Sequence, residues 1–371
     1  MAKFNQPNTI KTENRSGYPA YLMAKKERFV TAVLTTMFGE PKYYGSTDNE
    51  IVKLAIECAQ GDPEFLCRLA CYARNVGNMR SVSHVLAAVI AGAGLGVAGL
   101  VMQTTLNNPM ASPSTLGVAN GAVFGANLSI IAFAGGFLST GNNVQFFDVG
   151  ANPYATSVLA FVFSAVSVLL ILGLCTLRSF SPNVVVLAGM AISAIWTAAT
   201  TILQFYATDV GLSAAVVWSF GDLGRATYRT DAIMAGVVVV GFVFFWLMSW
   251  KYNALLSGEA TAKTMGVNVE SLRFLSLLLA SVITAVCVSF LGVIGFVGII
   301  CPHVAKKILG QDHRVTVPVS ALGGSLLLLL ADTLSRSMGS GSALPVGAIT
   351  SLLGAPFFLA IIFSRKENRR C

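Results

Sequence analysis

Residues 84–106 read HVLAAVIAGAGLGVAGLVMQTTL, a run with no Asp, Glu, Lys or Arg. A helix of about 20 apolar residues, at roughly 1.5 Å per residue, crosses the hydrocarbon core of a bilayer. Similar runs recur as far as residue 363, so we predict an all-α, polytopic membrane bundle. The predicted spans are 84–106, 114–136, 154–177, 184–207, 230–250, 272–291, 293–309, 315–335 and 345–363.

The composition supports a membrane protein with a soluble segment at its N-terminal end. Hydrophobic residues make up 54% of the chain and charged residues 11%, with a mean hydropathy of +0.69. This is more apolar surface than a soluble domain of this length buries. Residues 1–80 nevertheless hold 19 of the 42 charged residues and lack the apolar core of a signal peptide. We therefore predict a small soluble helical segment, 1–83, followed by a membrane domain, 84–371.

The basic residues predict how the spans are oriented. Alternate loops carry eleven Lys/Arg on one side and three on the other. The positive-inside rule then places the C-terminus and loop 251–273 in the cytoplasm, and nine crossings place the segment before residue 84 outside. The net charge of +8 thus follows from topology rather than from nucleic-acid binding. The cytoplasmic set is Arg178, Lys251, Lys263, Arg273, Lys306, Lys307, Arg314, Arg365, Lys366, Arg369 and Arg370; the outer set is Arg225, Arg229 and Arg336.

Small residues within the runs indicate close helix packing. Gly92 and Gly96 recur at four-residue spacing, as do Gly117, Gly121 and Gly125, and such spacing lets membrane helices approach closely. Residues 94–99 also fit GxGxxG, but inside an apolar helix that pattern indicates packing rather than a dinucleotide site. The shorter apolar piece 212–220 predicts a re-entrant or interfacial helix.

Two kinds of site are not predicted. Cys58, Cys67 and Cys71 lack the paired spacing and neighbouring His of a zinc site, so we expect free thiols and no bound metal. The chain contains no GxxxxGK[ST] phosphate loop. We therefore expect no enzymatic activity and no bound cofactor, with any ATP used by a separate subunit.

Specific motifs begin at Gln103–Ala122, QTTLNNPMASPSTLGVANGA, which resembles the signature of the FecCD-type permeases of iron-siderophore, haem and cobalamin ABC importers. The resemblance implies a permease subunit in the bacterial plasma (inner) membrane. It also implies a homodimer with two ATPase subunits beneath it and an extracytoplasmic substrate-binding protein above it, carrying a large metal chelate. Further matching segments are 187–189, 218–221, 258–269, 295–303, 310–314, 331–336, 344–347 and 354–358.

Loop 251–273 is predicted to transmit motion from the ATPase. Gly258 and Gly266 bracket one short polar helix, although a plain solvated loop is the alternative. A helix standing on the cytoplasmic face would carry motion from a partner into the bundle. The predicted coupling residues are Gly258, Glu259, Ala260, Thr261, Ala262 and Gly266.

At the outer end of a Leu-rich span, Asp332 and Arg336 stand four residues apart, which suits an ion pair on one helix face. A local pair that anchors the span is one interpretation. The resemblance implies another, in which Arg336 meets a carboxylate of the substrate-binding protein.

Polar residues near two span ends are predicted to line or gate the path. Uncharged polar groups suit a large chelate better than a bare ion. Pro302 and His303 predict a broken helix, and we interpret His303 as ending that helix rather than binding metal. The predicted path residues are Gln103, Asn107, Asn108, Pro109, Pro302 and His303.

The N-terminal segment departs from the permease pattern. The resemblance implies ten spans, of which the first is missing, and residues 81–84 (SVSH) replace an R.PR turn that holds two docking arginines. Instead, residues 17–21, 25–28 and 62–82 resemble the start of a TROVE module, an RNA-binding helical repeat. Amphipathic helices are predicted over 22–38, over 50–60 and from Asp62-Pro63 onward.

The TROVE resemblance implies that Tyr72, Arg74 and Arg80 contact RNA, with solvated helix faces as the alternative. Two alternatives to a transporter therefore stay open. One is a membrane-tethered RNA-binding protein. The other is a non-functional chimera joined at Val85–Ala88.

Overall fold

The computed structural model describes residues 63–133, 153–177, 182–338 and 344–364. The regular elements in these ranges are helices, as predicted. The chain divides into two compact units, Met1–Val82 and Ser83–Cys371. The helices are α1 Pro63–Thr105, α2 Val118–Asn127, α3 Pro153–Leu177, α4 Pro182–Phe205, α5 Asp209–Ser219, α6 Tyr228–Leu247, α7 Ser249–Leu256, α8 Glu259–Thr264, α9 Val269–Leu291, α10 Val297–Leu309, α11 His313–Met338 and α12 Val346–Ser364.

Six helices of the described residues are long and apolar enough to cross a membrane, which confirms six of the predicted spans. The short piece 212–220, which was predicted to be a re-entrant or interfacial helix rather than a span, corresponds to the 11-residue helix α5. Within predicted span 114–136, α2 and the π-helical turn that follows it cover 118–133, and residues 134–136 lie outside the described residues. The six helices are Val82–Thr105, Tyr154–Leu174, Pro182–Phe205, Tyr228–Leu247, Val269–Leu291 and His313–Ser337.

The predicted span 293–309 is helical only from Val297 onward, because helix α10 covers its last 13 residues. Gly292 (φ 81°) ends α9, the residues that follow it are not helical, and α10 begins after the left-handed Phe296 (φ 64°). Backbone of this kind is tolerated at membrane depth only inside protein. Accordingly, a Cβ on Gly221 would lie 3.2 Å from the Val293 carbonyl carbon.

The prediction that the regularly spaced glycines allow close helix packing is confirmed. A Cβ on Gly92 would lie 2.6 Å from the carbonyl carbon of Gly324 on α11, and a Cβ on Gly96 would lie 3.2 Å from that of Ser320. Gly121 meets α3 in the same way. Gly117, with φ 71°, instead turns the chain before α2. The backbones of α1 and α11 are therefore in direct contact at Gly92 and Gly96.

The predicted helix opening at Asp62-Pro63 is confirmed, because α1 begins at Pro63. Proline suits this first helical position, where its missing N–H has no partner in any helix. The predicted helices 22–38 and 50–60 lie outside the described residues.

Candidate functional site

The end of α1 is the point where the predicted path residues gather. Asn107 (φ 44°) adopts the left-handed conformation, its N–H donates to the Thr104 carbonyl (3.2 Å), and the Asn108 N–H donates to the Gln103 carbonyl (3.1 Å). These two bonds form a Schellman motif, which ends the helix. The Asn108 carboxamide oxygen accepts from the Met110 N–H (2.9 Å). Asn107, Asn108 and the exposed Pro109 therefore build the turn that stops α1.

Gln103, in contrast, joins α1 to the predicted break at Pro302. Proline has no N–H, so the carbonyl of Gly298 loses its usual partner inside α10. The buried Gln103 side chain supplies one, because its Nε2 lies 3.3 Å from the Gly298 oxygen and 3.4 Å from the Ile299 oxygen. Its Oε1 accepts from the Lys306 ammonium (3.3 Å). Two of the predicted path residues are thus brought together.

The prediction that His303 ends a helix is wrong. Pro302 and His303 lie inside α10, which continues to Leu309 and ends at Gly310 (φ 82°). The helix tolerates Pro302 because Gln103 takes up the carbonyl that it frees. The break in this part of the chain lies upstream, in the non-helical residues 292–296.

The predicted short polar helix is confirmed as α8, between Gly258 (φ 107°) and Gly266 (φ 80°). Its faces are exposed except for the fully buried Ala262. Glu259 forms an ion pair with Arg273 at the start of α9. A short helix held at one buried residue and one ion pair leaves most of its surface open to a partner.

Arg273 was not predicted as a site residue, although a lone arginine entering an apolar span is a signal of function. Its side chain is 3% exposed. Its Nε donates to the Thr105 carbonyl (2.9 Å), while its Nη2 pairs with Glu259. With this bond, the last three carbonyls of α1 all have partners, and a cation lies at the negative end of the helix dipole.

His313 is a second residue that the sequence did not single out. It is fully buried at the start of α11, where its Nε2 lies 2.8 Å from the Thr104 hydroxyl and its Nδ1 3.0 Å from the Asn253 oxygen. Because that oxygen only accepts, the ring carries its proton on Nδ1. The Asn253 amide donates to Asp312 (2.7 Å), and hydrogen bonds from the Arg314 N–H and from Asn253 lower the pKa of Asp312. The network links α1, α7 and α11.

At the opposite end of the membrane span Val82–Thr105 of α1, the predicted pair of Asp332 and Arg336 is present, at 2.7 Å. The Arg336 guanidinium also lies 2.6 Å from the His84 Nδ1, which must accept because arginine only donates. Ser83 donates to the buried Asp231 of α6 (2.5 Å). Ser83 and His84, within the segment that replaces the R.PR turn, therefore tie this end of the span to α6 and α11.

A cavity of about 410 Å³ opens near this second end, between the first turns of α3 and α6 and the end of α5. Arg225 lies in its wall and donates to the carbonyls of Trp218 (3.0 Å) and Val217 (2.9 Å), which ends α5. Desolvation by burial lowers the pKa of Arg225, and the neighbouring charge of Asp222 opposes that shift. The cavity thus presents one cation among hydroxyl groups, from Thr156, Ser157, Thr227 and Thr230.

Six long apolar helices in the described residues define a polytopic membrane protein. The sequence matches the FecCD transport family over residues 73–364, and the chain belongs to that family. It is the permease subunit of an ABC importer. The family match begins earlier than the predicted residue 84.

Relatives agree with this assignment. A protein described as an ABC transporter permease of Methanocaldococcus jannaschii is 42% identical, over 91% of this chain and 95% of its own length. The hemin transport permease of Yersinia pestis is 34% identical over 77% of this chain and 82% of its own length. A solved transporter described as of metal-chelate type, in an inward-facing conformation, superposes with a TM-score of 0.70 at 24% identity, covering 93% of this chain and 100% of that one. That likeness shows a shared fold.

These comparisons give no support to the TROVE resemblance. Residues 84–371 are less than four fifths of the chain, so an alignment over 91% of it includes part of the segment before residue 84. The family match also crosses the predicted junction. Tyr72, Arg74 and Arg80 lie on α1, the last two inside the family match, and their side chains are outside the described residues.

Proposed function

We propose that this chain forms the transmembrane path of an importer for chelated iron or a related large metal chelate. It would act as a homodimer in a prokaryotic plasma membrane, with its C-terminus in the cytoplasm. Two separate ATPase subunits would hydrolyse ATP, and a substrate-binding protein would deliver the chelate from outside. The observation that carries the proposal is the exposed helix α8, linked by an ion pair to a bundle of the FecCD family.

The position of α8 supports its role as the ATPase contact. Glu259, on α8, reaches the end of α1 through Arg273, and Lys306 reaches the same end through Gln103. Basic residues therefore surround the α8 end of the bundle, which the positive-inside rule assigns to the cytoplasm. An exposed helix at that end is accessible to a cytoplasmic partner.

The cavity at the other end supports a polar cargo. A guanidinium and several hydroxyl groups recognise carboxylate, hydroxamate or carbonyl oxygens by hydrogen bonds. The Yersinia pestis relative is named for hemin, itself an iron chelate. An oxygen-rich iron chelate therefore fits the chemistry of this end better than a bare cation.

Replacing Ala260 with arginine is expected to release the ATPase subunits. Ala260 is exposed on α8, and a bulky cation there would obstruct the contact without disturbing the buried Ala262. We expect recovery of the cognate ATPase with the tagged permease to fall about tenfold or more, as for a central interface residue. Gln311→Arg adds the same charge at an exposed position outside α8 and should leave recovery unchanged. Equal recovery with both variants would contradict the coupling role.

Replacing Arg336 with glutamate is expected to slow docking of the substrate-binding protein. Arg336 is 38% exposed, and exposed charges at an interface rim mainly affect the rate of association. We expect the association rate constant to fall about tenfold at low salt, with a smaller difference at high salt. Arg229→Glu, at another exposed outer arginine, is the matched control. An unchanged association rate constant for Arg336→Glu would contradict the docking role, and the ion pair with Asp332 would then serve only to anchor the end of the span.

A further inference from the structure

We propose that Arg273 is the positioning residue that couples α8 to the inner end of α1, so that movement of α8 shifts the Gln103–Asn108 turn. This inference rests on the proposed function, because α8 must receive the motion of an ATPase. It adds a residue and a direct route to that function.

The first step of the route is the contact between Arg273 and α8. Glu259 is half-exposed, whereas the Arg273 side chain is 3% exposed. Among the described contacts of α8, this pair joins an exposed surface element to a fixed cation inside the bundle. A partner that displaces α8 therefore moves Glu259 relative to the Arg273 guanidinium, which is buried and cannot turn toward solvent.

The second step is the contact between Arg273 and α1. The guanidinium uses a different nitrogen for each bond, Nη2 for Glu259 and Nε for the Thr105 carbonyl. A rigid planar group keeps a fixed geometry between its two bonds, unlike a flexible lysine ammonium. Displacement of Glu259 is therefore transferred to the last residue of α1.

The third step lies within the end of α1 itself. Three consecutive residues contact three different elements: Gln103 bonds α10, Thr104 bonds His313 of α11, and Thr105 bonds Arg273 of α9. A shift of Thr105 changes the Schellman turn and the bond that Gln103 makes to the carbonyl freed by Pro302. The inner end of α1, the first turn of α10 and the start of α11 then respond together.

Hydrogen–deuterium exchange of the full-length permease in detergent tests the link without any transport. Glu259→Gln removes the negative charge of the ion pair. Hydrogen bonds to charged groups stabilise the structure around them, so we expect local opening, and with it hydrogen exchange in residues 259–266, to rise about tenfold. We expect hydrogen exchange at the Asn107 and Asn108 amides to accelerate by a similar factor. Among the described bonds, only those of Arg273 link α8 to this turn. Glu270→Gln removes an exposed carboxylate at the start of the same α9 helix and should change neither region.

Arg273→Lys separates the two contacts. Lysine keeps the positive charge for Glu259 but lacks the Nε–H aimed at Thr105. We expect exchange in α8 close to wild type and faster exchange at Asn107 and Asn108. Acceleration confined to α8 in Glu259→Gln, or an unchanged turn in Arg273→Lys, would overturn the proposal. A general loss of folding would instead accelerate exchange across all spans.

Reconstitution with the cognate ATPase and binding protein gives the functional readout. We expect Glu259→Gln and Arg273→Met each to raise the number of ATP molecules hydrolysed per chelate transported several-fold. The double variant should show the same ratio as the single variants, because the two residues act as one unit. Additive effects would contradict the route. If wild-type liposomes transport no chelate, the proposed function fails, while the exchange experiment still decides the contact between Arg273 and α1.

Discussion

Replacing Gly99 with alanine is expected to destabilise the bundle strongly and to lower its unfolding temperature by several degrees. A Cβ at this position would lie 2.5 Å from the carbonyl carbon and the Cα of Gly298, and closer still to its oxygen. The obstruction is backbone of α10, which cannot rotate away as a side chain would. Overpacking of this kind costs about 1–3 kcal/mol, and we expect the upper end of that range.

The measurement for Gly99→Ala is thermal unfolding in detergent. A loss of about 3 kcal/mol should lower the Tm by roughly 6–12 °C. Gly236→Ala is the matched control, because it adds the same methyl group to another span with nothing within 4 Å of the new atom. Alanine generally favours a helix over glycine, so this control should keep or slightly raise the Tm. Equal Tm values for the two variants would contradict the close contact of α1 and α10.

Replacing Gln103 with leucine is expected to impair both stability and transport. Leucine cannot bond the Gly298 carbonyl freed by Pro302, nor accept from Lys306. A buried polar group left without its partner costs about 1–3 kcal/mol, and more when it is charged. We therefore expect a lower Tm and a fall of about tenfold or more in chelate uptake.

Gln103→Glu distinguishes the two contacts of Gln103. Glutamate still accepts from Lys306 but cannot donate to the Gly298 carbonyl, so it should retain stability better than leucine while uptake stays low. Gln311→Leu, at an exposed position, is the control and should behave as wild type. Normal uptake by Gln103→Leu would show that the contact between α1 and α10 is not needed for transport.

Hydropathy and glycine spacing predicted much of the fold. Both are local properties: the apolar runs fix where helices cross, and Gly92 and Gly96 mark a face that another backbone touches. Residues 293–296 were predicted to belong to a span because helical and non-helical backbones can have the same apolar composition. The contacts of Val293 with Gly221, which is distant in the sequence, show where this non-helical backbone packs.

The site was predictable in part for the same reason. The bracketing by Gly258 and Gly266 is a local signal, and α8 was found. The partners of Arg273 and His313 lie far along the chain, and single-sequence patterns carry no information on such pairs. The TROVE resemblance was misleading because its local signals are not specific. Short amphipathic helices with scattered basic and aromatic residues occur in many proteins, and the family match extended across the junction placed at residue 84.

Uptake of a radiolabelled chelate by cells measures the proposed transport itself. Cells that lack their own permease would receive this chain with its cognate ATPase and binding protein, and would be given iron-55 as a hydroxamate, citrate or hemin complex. We expect accumulation of at least one complex that is lost when the ATPase is inactivated and strongly reduced in Ala260→Arg. Background uptake of all three complexes by a chain that is inserted and bound to its ATPase would contradict the proposed transport.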